Sequence, residues 1–336
     1  MTENKYLDLI INNIGQGVIA LDSSYKILSY NRRIARDLEI KPKVDEPISK
    51  IITNTVILKG ITEAKLKNSF LTFDYEREDG EIYELRFLPV DESGVRIILV
   101  TKVVTEIRKT AKSKQEFFAN AGHELNTPLS SIMGYSEMLL SSEKLDPQII
   151  SEFSKTINKE ATRMKLLIED MLKLSKLEES KIVIDDKIEL KQLVENTLKA
   201  ISPKADAKNI VIDSNLEHCY IFANEEKIIE VVSNLVDNSV KYTNENGRVK
   251  VSLKIKDDKA VLKISDNGKG IPQSSLSRVY ERFYRVDKGR SNIGESGTGL
   301  GLSIVKHICS HYKASIKLQS KLGVGTTFAV SFTLVD

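Results

Sequence analysis

The chain has 336 residues, too many for one ordinary core, so two or three domains are expected. Its 50 Lys and Arg against 47 Asp and Glu leave a formal charge of +3, which gives no electrostatic reason for nucleic acid as a partner. Cys219 and Cys309 are too few for a disulfide framework, the polar start MTENKYLD is not a signal peptide, and no apolar run reaches the length of a membrane span. A cytoplasmic location without a membrane segment is therefore expected, for this chain or for the cytosolic part of a longer membrane-bound receptor.

Residues 6–103 read as a small α/β unit. Gly17 to Asp22 and Lys26 to Asn31 form a strand pair across a short polar turn, and a helical stretch runs from Arg32 to Glu39. Leu71, Phe73 and Tyr75 alternate with polar neighbours, Asp79-Gly80 makes a tight turn, and Tyr83, Leu85 and Phe87 alternate again, a hairpin pattern. Val95 to Val100 supplies a last strand.

The apolar period then changes to seven, with Phe118, Leu125, Ile132 and Leu139 in one helix and Ile150, Ile157, Met164 and Met171 in a second. Joined by the polar loop Ser141 to Pro147, they make a helical hairpin that finishes burying its seam by dimerising into a four-helix bundle. With Phe118 and Leu125 at a positions, His123 falls at f, on the outer face. An exposed imidazole is largely neutral near neutral pH and so nucleophilic. Such a histidine is ordinarily a solvated surface residue, but Pro128 removes the hydrogen bond to the Glu124 carbonyl and disturbs the helix just beyond it.

From about Lys187 helices and strands mix to the end. Asn234, Asn238 and Lys241 share one helical face. Two amide oxygens and an ammonium suit a hydrated Mg²⁺ with the phosphates it carries. Asp266, at a strand end before Gly268 and Gly270, can accept from an adenine amino group while the bare backbone lets the base approach. Gly297, Gly299 and Gly301 open a helix whose first N–H groups can hold phosphate oxygens.

These segments also form an ordered set. FFANAGHELNTPL (Phe117 to Leu129) resembles the phosphoacceptor box of sensor histidine kinases. NLVDNSVKYT (Asn234 to Thr243) resembles their N box. DNGKG (Asp266 to Gly270) and GTGLGL (Gly297 to Leu302, with Thr298 and Leu300) resemble the two glycine boxes, with ERFYR (Glu281 to Arg285) as the F box between them and GVGTTF (Gly323 to Phe328) as a last glycine element. The resemblance implies a two-component kinase that autophosphorylates His123 from ATP and passes the phosphoryl group to an aspartate of a cognate response regulator. It casts Asn238 as direct metal ligand, Asn234 as ligand through water, Lys241 on phosphate, Tyr242 against the adenine and Arg285 on the γ-phosphate. Glu124 becomes the base for His123, and Thr127, in an H-E-x-x-T pattern, positions water for regulator dephosphorylation. Related ATPases carry a glutamate at the position of Asn234, and an asparagine cannot serve as that base, which favours a kinase over an ATP-hydrolysing switch.

The first hundred residues resemble a PAS domain by strand order and Asn31. All four histidines lie at 123 or later and both cysteines beyond 200, which excludes histidine-ligated haem and a flavin–cysteine photosensor there and leaves a small apolar ligand or none. His307, Cys309 and His311 share a helix but lack the pattern of a zinc site. Departures from the family are Gly122 for serine, Asn126 for a basic residue, Lys313-Ala314 for a glycine pair, and Val103-Val104-Thr105 where PAS domains read Asp-Ile-Thr. The expected architecture is multidomain α+β: a PAS-like α/β sensor (1–103), a dimeric phosphotransfer hairpin (104–180) and an α/β sandwich ATP-binding domain (181–336). A PAS-mediated scaffold without kinase activity is the alternative of another class.

Overall fold

The computed structural model describes residues 11–92, 94–141, 145–179, 186–286 and 297–335; the extreme start of the chain and part of the loop expected from Ser141 to Pro147 lie outside the described residues. Two compact units divide the chain, Met1–Glu116 and Phe117–Asp336.

In the first unit, β1 (Gly17–Leu21), β2 (Ile27–Tyr30), β3 (Leu71–Glu76), β4 (Ile82–Glu92) and β5 (Val95–Val103) form one antiparallel sheet in the order β2-β1-β5-β4-β3. Asn31 is fully buried and fully bonded: its Oδ1 accepts from Val18 N and Ile34 N, both at 3.0 Å, while its Nδ2 donates to the Gln16 carbonyl at 2.8 Å. It thereby caps α1 (Arg32–Asp37) and ties that helix to β1. Between the stretches expected to be ordered lies a further helix, α2 (Thr55–Lys67), in which Ile57, Ile61 and Ala64 bury one face at helical spacing and which Asn54 caps. Gly60 of α2 lies against the Phe87 ring so closely that no Cβ fits between them. That ring, fully buried and edge-on to Phe73, fills the apolar interior.

Helix α3 (Thr105–Ser141) starts in the first unit and continues into the second, where it pairs with α4 (Pro147–Glu179). Pro147 takes the first turn of α4, where its missing N–H costs nothing, and Asp146 accepts from Gln148 N at 2.8 Å. Within one chain Phe117 rather than Phe118 turns inward: Phe117 is buried and Phe118 is 60% exposed. Leu167, Leu174 and Leu177 continue into the core of the second unit, and Leu125 and Met171 pack beside them.

The rest of that unit is a two-layer sandwich. β7 (Val211–Leu216), β9 (Arg248–Lys256), β10 (Lys259–Asp266), β11 (Ser315–Lys321) and β12 (Gly325–Thr333) run in the order β11-β12-β10-β9-β7, antiparallel except for β7 with β9. β6 (Asp186–Glu189) pairs with β8 (Tyr220–Ala223) beside it. Alternation along β9, β10 and β12 buries one face of the sheet. Helices α5 (Leu190–Asp206), α6 (Glu225–Tyr242) and α7 (Gly301–His311) supply the apolar side chains that share its core.

Candidate functional site

Helix α6 is the frame of the site. Asn224 caps it by accepting from Lys227 N at 3.2 Å, and Glu225 and Glu226 face its positive end. Ile228, Val231, Val232, Leu235, Val236 and Val240 bury its inner face, which leaves Asn234, Asn238 and Lys241 on its shoulder. The Asn234 Nδ2 donates to the Glu230 carbonyl at 2.8 Å, and its Oδ1 makes no hydrogen bond with the described residues. That oxygen lies 2.5 Å from where a Cβ on Gly301 would stand, and the Lys241 Nζ is as close to the same point on Gly297. The second glycine segment therefore runs alongside this shoulder, and only glycine lets it approach so near. Asn238 is half-buried and makes no hydrogen bond with the described residues, an amide with its oxygen available for a cation.

The first glycine segment closes the end of the same helix. Gly268 abuts the Tyr242 carbonyl, Lys269 N donates to that carbonyl at 3.1 Å, and Gly270 (φ 68) lies against the Lys321 carbonyl. Asp266 sits at the end of β10 with its Oδ1 accepting from Gly268 N at 3.0 Å and Thr326 N at 3.1 Å. Burial pushes its carboxyl above the usual carboxylate range, and the two N–H donors oppose that rise. Tyr242 is partly exposed beside this floor, with the Lys241 ammonium 5.1 Å from its ring centroid.

Leu300, fully buried, and Gly301 begin α7, whose N-terminal N–H groups have no side-chain cap. Gly299 (φ 74) packs against the Phe283 backbone and its carbonyl accepts from Phe283 N at 3.0 Å. The Thr298 hydroxyl accepts from Leu300 N at 3.3 Å and donates to the Asp170 carboxylate of α4 at 2.7 Å. The motifs gave no sign of that link, nor of the Phe117 ring stacked on Phe283 at 5.6 Å beneath the Arg282 guanidinium. Arg285 is half-buried and makes no hydrogen bond or ion pair with the described residues, those of the glycine segments included.

On the hairpin, His123 is exposed on the outer face of α3 and Pro128 is buried one turn on. Glu124 pairs with the Arg163 guanidinium of α4 at 3.5 Å. The Thr127 hydroxyl donates to the His123 carbonyl at 3.2 Å, which leaves its lone pairs to accept from outside. His307 is engaged elsewhere, 2.9 Å from the Leu177 carbonyl, and Cys309 is buried in α7.

A helical hairpin presenting one exposed histidine, followed by a sandwich whose central helix faces two glycine segments, defines a phosphoacceptor joined to an ATP-binding domain. The family described as His Kinase A (phospho-acceptor) domain matches residues 113–180, and the Histidine kinase-, DNA gyrase B-, and HSP90-like ATPase family matches 223–336. The chain belongs to the sensor histidine kinases of two-component systems. It is 30% identical to Drug sensory protein A of Synechocystis sp. over 97% of its own length and 56% of that protein. It is 29% identical to Sensor protein kinase WalK of Staphylococcus aureus strain JH9, over 98% of its length and 55% of that protein. The chain thus spans a little over half the length of these curated relatives. In fold it resembles the histidine kinase ThkA, solved in complex with the response regulator protein TrrA, with a TM-score of 0.54 at 18% identity over 96% of this chain and 97% of that one. No helix among the described residues is long and apolar enough to cross a membrane.

Proposed function

We propose that this chain transfers the γ-phosphoryl group of ATP to His123 and from there to an aspartate of a cognate response regulator, working as a homodimer paired through the α3–α4 hairpin in the cytoplasm. The exposed His123 on a proline-disturbed helix, in the same compact unit as the nucleotide cradle, is the observation that carries this reading. Asp266 accepts the adenine amino group through its Oδ2, since its Oδ1 is already taken by two backbone donors. Gly268 and Gly270 admit the base, Tyr242 covers it, and Gly297 to Gly301 cradle the phosphates against Lys241.

The amide oxygens of Asn238 and Asn234 fit Mg²⁺: Asn238 would hold it directly and Asn234 through a water, and the ion would supply neutralisation of phosphate charge. In the transfer, a ring nitrogen of His123 forms the new N–P bond as the bond from the γ-phosphorus to its bridging oxygen breaks. ADP leaves with that electron pair, Glu124 takes the imidazole proton, and Arg285 holds the γ-oxygens. Because Asn234 offers an amide where a base would be needed, water is not activated and ATP survives until the histidine arrives. Thr127, with lone pairs free, orients a water against the regulator's aspartyl phosphate and supports dephosphorylation. We divide the chain by function into a PAS-like sensor (1–103), the phosphotransfer hairpin (104–180) and the ATP-binding domain (181–336).

Incubation with γ-labelled ATP tests the assignment. Acid-labile, base-stable label is expected on the wild type and none on His123→Gln; undiminished labelling of the variant would place the acceptor elsewhere. Asn238→Ala is expected to lose Mg²⁺-dependent nucleotide binding by calorimetry.

A further inference from the structure

The small net charge of the chain is unevenly spread, and one face of the second unit's five-stranded sheet carries an excess. Helices α5, α6 and α7 share the core on one side of that sheet. Side chains at the alternate strand positions point to the other side, into solvent. Pairing sets them in rows. Lys317 of β11 stands opposite Ala329 of β12, Ala329 opposite Lys263 of β10, and Lys263 opposite Ser252 of β9. The next row reads Gln319, Thr327, Ser265, Lys250 and, on β7, Asp213. Arg248, Lys254, Lys256, Lys259 and Lys321 stand on the same face further along their strands.

The carboxylates set against these eight cations lie at the margins. Asp213 answers Arg248 at 3.3 Å and Glu217 answers Lys254 at 2.8 Å. Asp257 and Asp258 occupy the β9–β10 turn beside Lys256 and Lys259, and Glu245 lies in the turn before β9. Lys250, Lys263, Lys317 and Lys321 remain, all exposed and none with a side-chain hydrogen bond or ion pair to a described residue. Even with Glu245 set against one of them, three positive charges are left over, as many as the +3 of the whole chain. Lys263 and Lys250 are diagonal neighbours on adjacent strands, roughly 7–8 Å apart at the backbone. Lys317 is two strands from Lys263, about 10 Å. Physiological salt screens charge over ~8 Å, so the three act as one field.

What lies between the lysines decides the partner. The intervening side chains are small, Ala329, Ser252, Ser265 and Thr327; the face carries no aromatic ring, and its one arginine is already paired. A protein interface draws its affinity from aromatic and arginine anchors in a desolvated centre and is poor in lysine. Single-stranded nucleic acid needs aromatic platforms for its bases, and a duplex needs a helix or ribbon that enters its groove. A bilayer surface needs neither: anionic headgroups gather opposite the lysines while each ammonium stays hydrated.

We infer that this face of the sheet docks the chain on an anionic lipid surface. Asp266 and Asn238 lie on the helical side of the sheet, so the nucleotide cradle stays open when the opposite face is docked. Lipid binding does not depend on the kinase reading.

The full chain is sedimented with vesicles of phosphatidylglycerol and phosphatidylcholine in equal parts, and with vesicles of phosphatidylcholine alone. Binding is expected to the anionic vesicles only, and to weaken as salt rises. The triple variant Lys250→Gln, Lys263→Gln, Lys317→Gln is expected to bind them at least about tenfold more weakly, and to melt no lower than wild type because none of the three is paired. Lys41→Gln, Lys43→Gln, Lys50→Gln removes the same charge from exposed positions of the first unit and is expected to bind like wild type. Equal binding to both kinds of vesicle would overturn the site. So would a first triple that loses no more than the second, or tighter binding of the wild type to polyglutamate or a double-stranded oligonucleotide than to the anionic vesicles.

Discussion

Asp266 puts a carboxylate where burial disfavours its charge, and the sign of the consequence follows from linkage. Its folded pKa is raised above the unfolded value. The fold therefore gains from protonated Asp266 at low pH, and that gain is lost as pH rises through the folded pKa. At neutral pH the ionised group works against stability and for adenine binding. Asp266→Asn is expected to melt higher than wild type at pH 7, with the difference shrinking toward pH 4, and to bind ATP at least tenfold more weakly, about 1.4 kcal/mol. Melting curves across pH beside ATP titrations check both halves; a variant that melts lower at pH 7 would contradict the assigned cause. Glu124 has a different problem, since it is paired with Arg163. Glu124→Gln is expected to keep ATP affinity and lose most autophosphorylation, and equal labelling rates would remove it from the mechanism. Thr127→Ala is expected to leave labelling near normal while slowing regulator dephosphorylation about tenfold, ~1.4 kcal/mol of transition-state stabilisation, timed on purified phosphorylated regulator.

Gly122 lies mid-helix in α3 with open space where a Cβ would stand. Gly122→Ala is expected to stabilise the helix by about 1 kcal/mol, read as a shift in denaturant midpoint at unchanged slope. Lys313 shows the reverse exchange. It takes φ 52 just after α7, the conformation that the family's glycine adopts freely, and so carries the strain of a Cβ in the left-handed region. The five strands of the first unit, the hairpin and the face of α6 were legible because each has one repeat that dominates: two for strands, seven for the seam, three and four for the binding shoulder. Helix α2 was not, because its buried residues are few and Gly60 interrupts the pattern where the Phe87 ring needs room. The contacts of Thr298 with Asp170 and of Phe117 with Phe283 were equally out of reach. They join residues 128 apart in one case and on different elements in the other, and neither has a local period.

Across the whole molecule the hairpin leaves a large apolar area uncovered in a single chain, including Phe118, Leu140 at 87% exposure and Leu172 at 57%. Monomers seldom expose such a stripe. Phe118 stands at a seam position yet faces outward within its own chain, so Phe118→Asp is expected to spare the monomer fold and break the pairing. Losing the burial of one phenylalanine per subunit, about 1.5–3 kcal/mol each, should raise the dimer dissociation constant at least a hundredfold by sedimentation. An unchanged sedimentation profile would put the dimer contact elsewhere.

The Phe87 ring seated on Gly60 also makes the first unit open to chemical control from outside. Phe87→Ala would remove a buried benzyl group whose neighbours are held by two elements that cannot easily collapse inward, α2 and the sheet. The void would cost about 3–5 kcal/mol, and being lined by apolar side chains it would stay dry and accept a small aromatic solute such as benzene or indole. A variant of this kind would fold on demand: loosened in buffer, restored by a compound added from outside, and so a handle for asking when the signal enters.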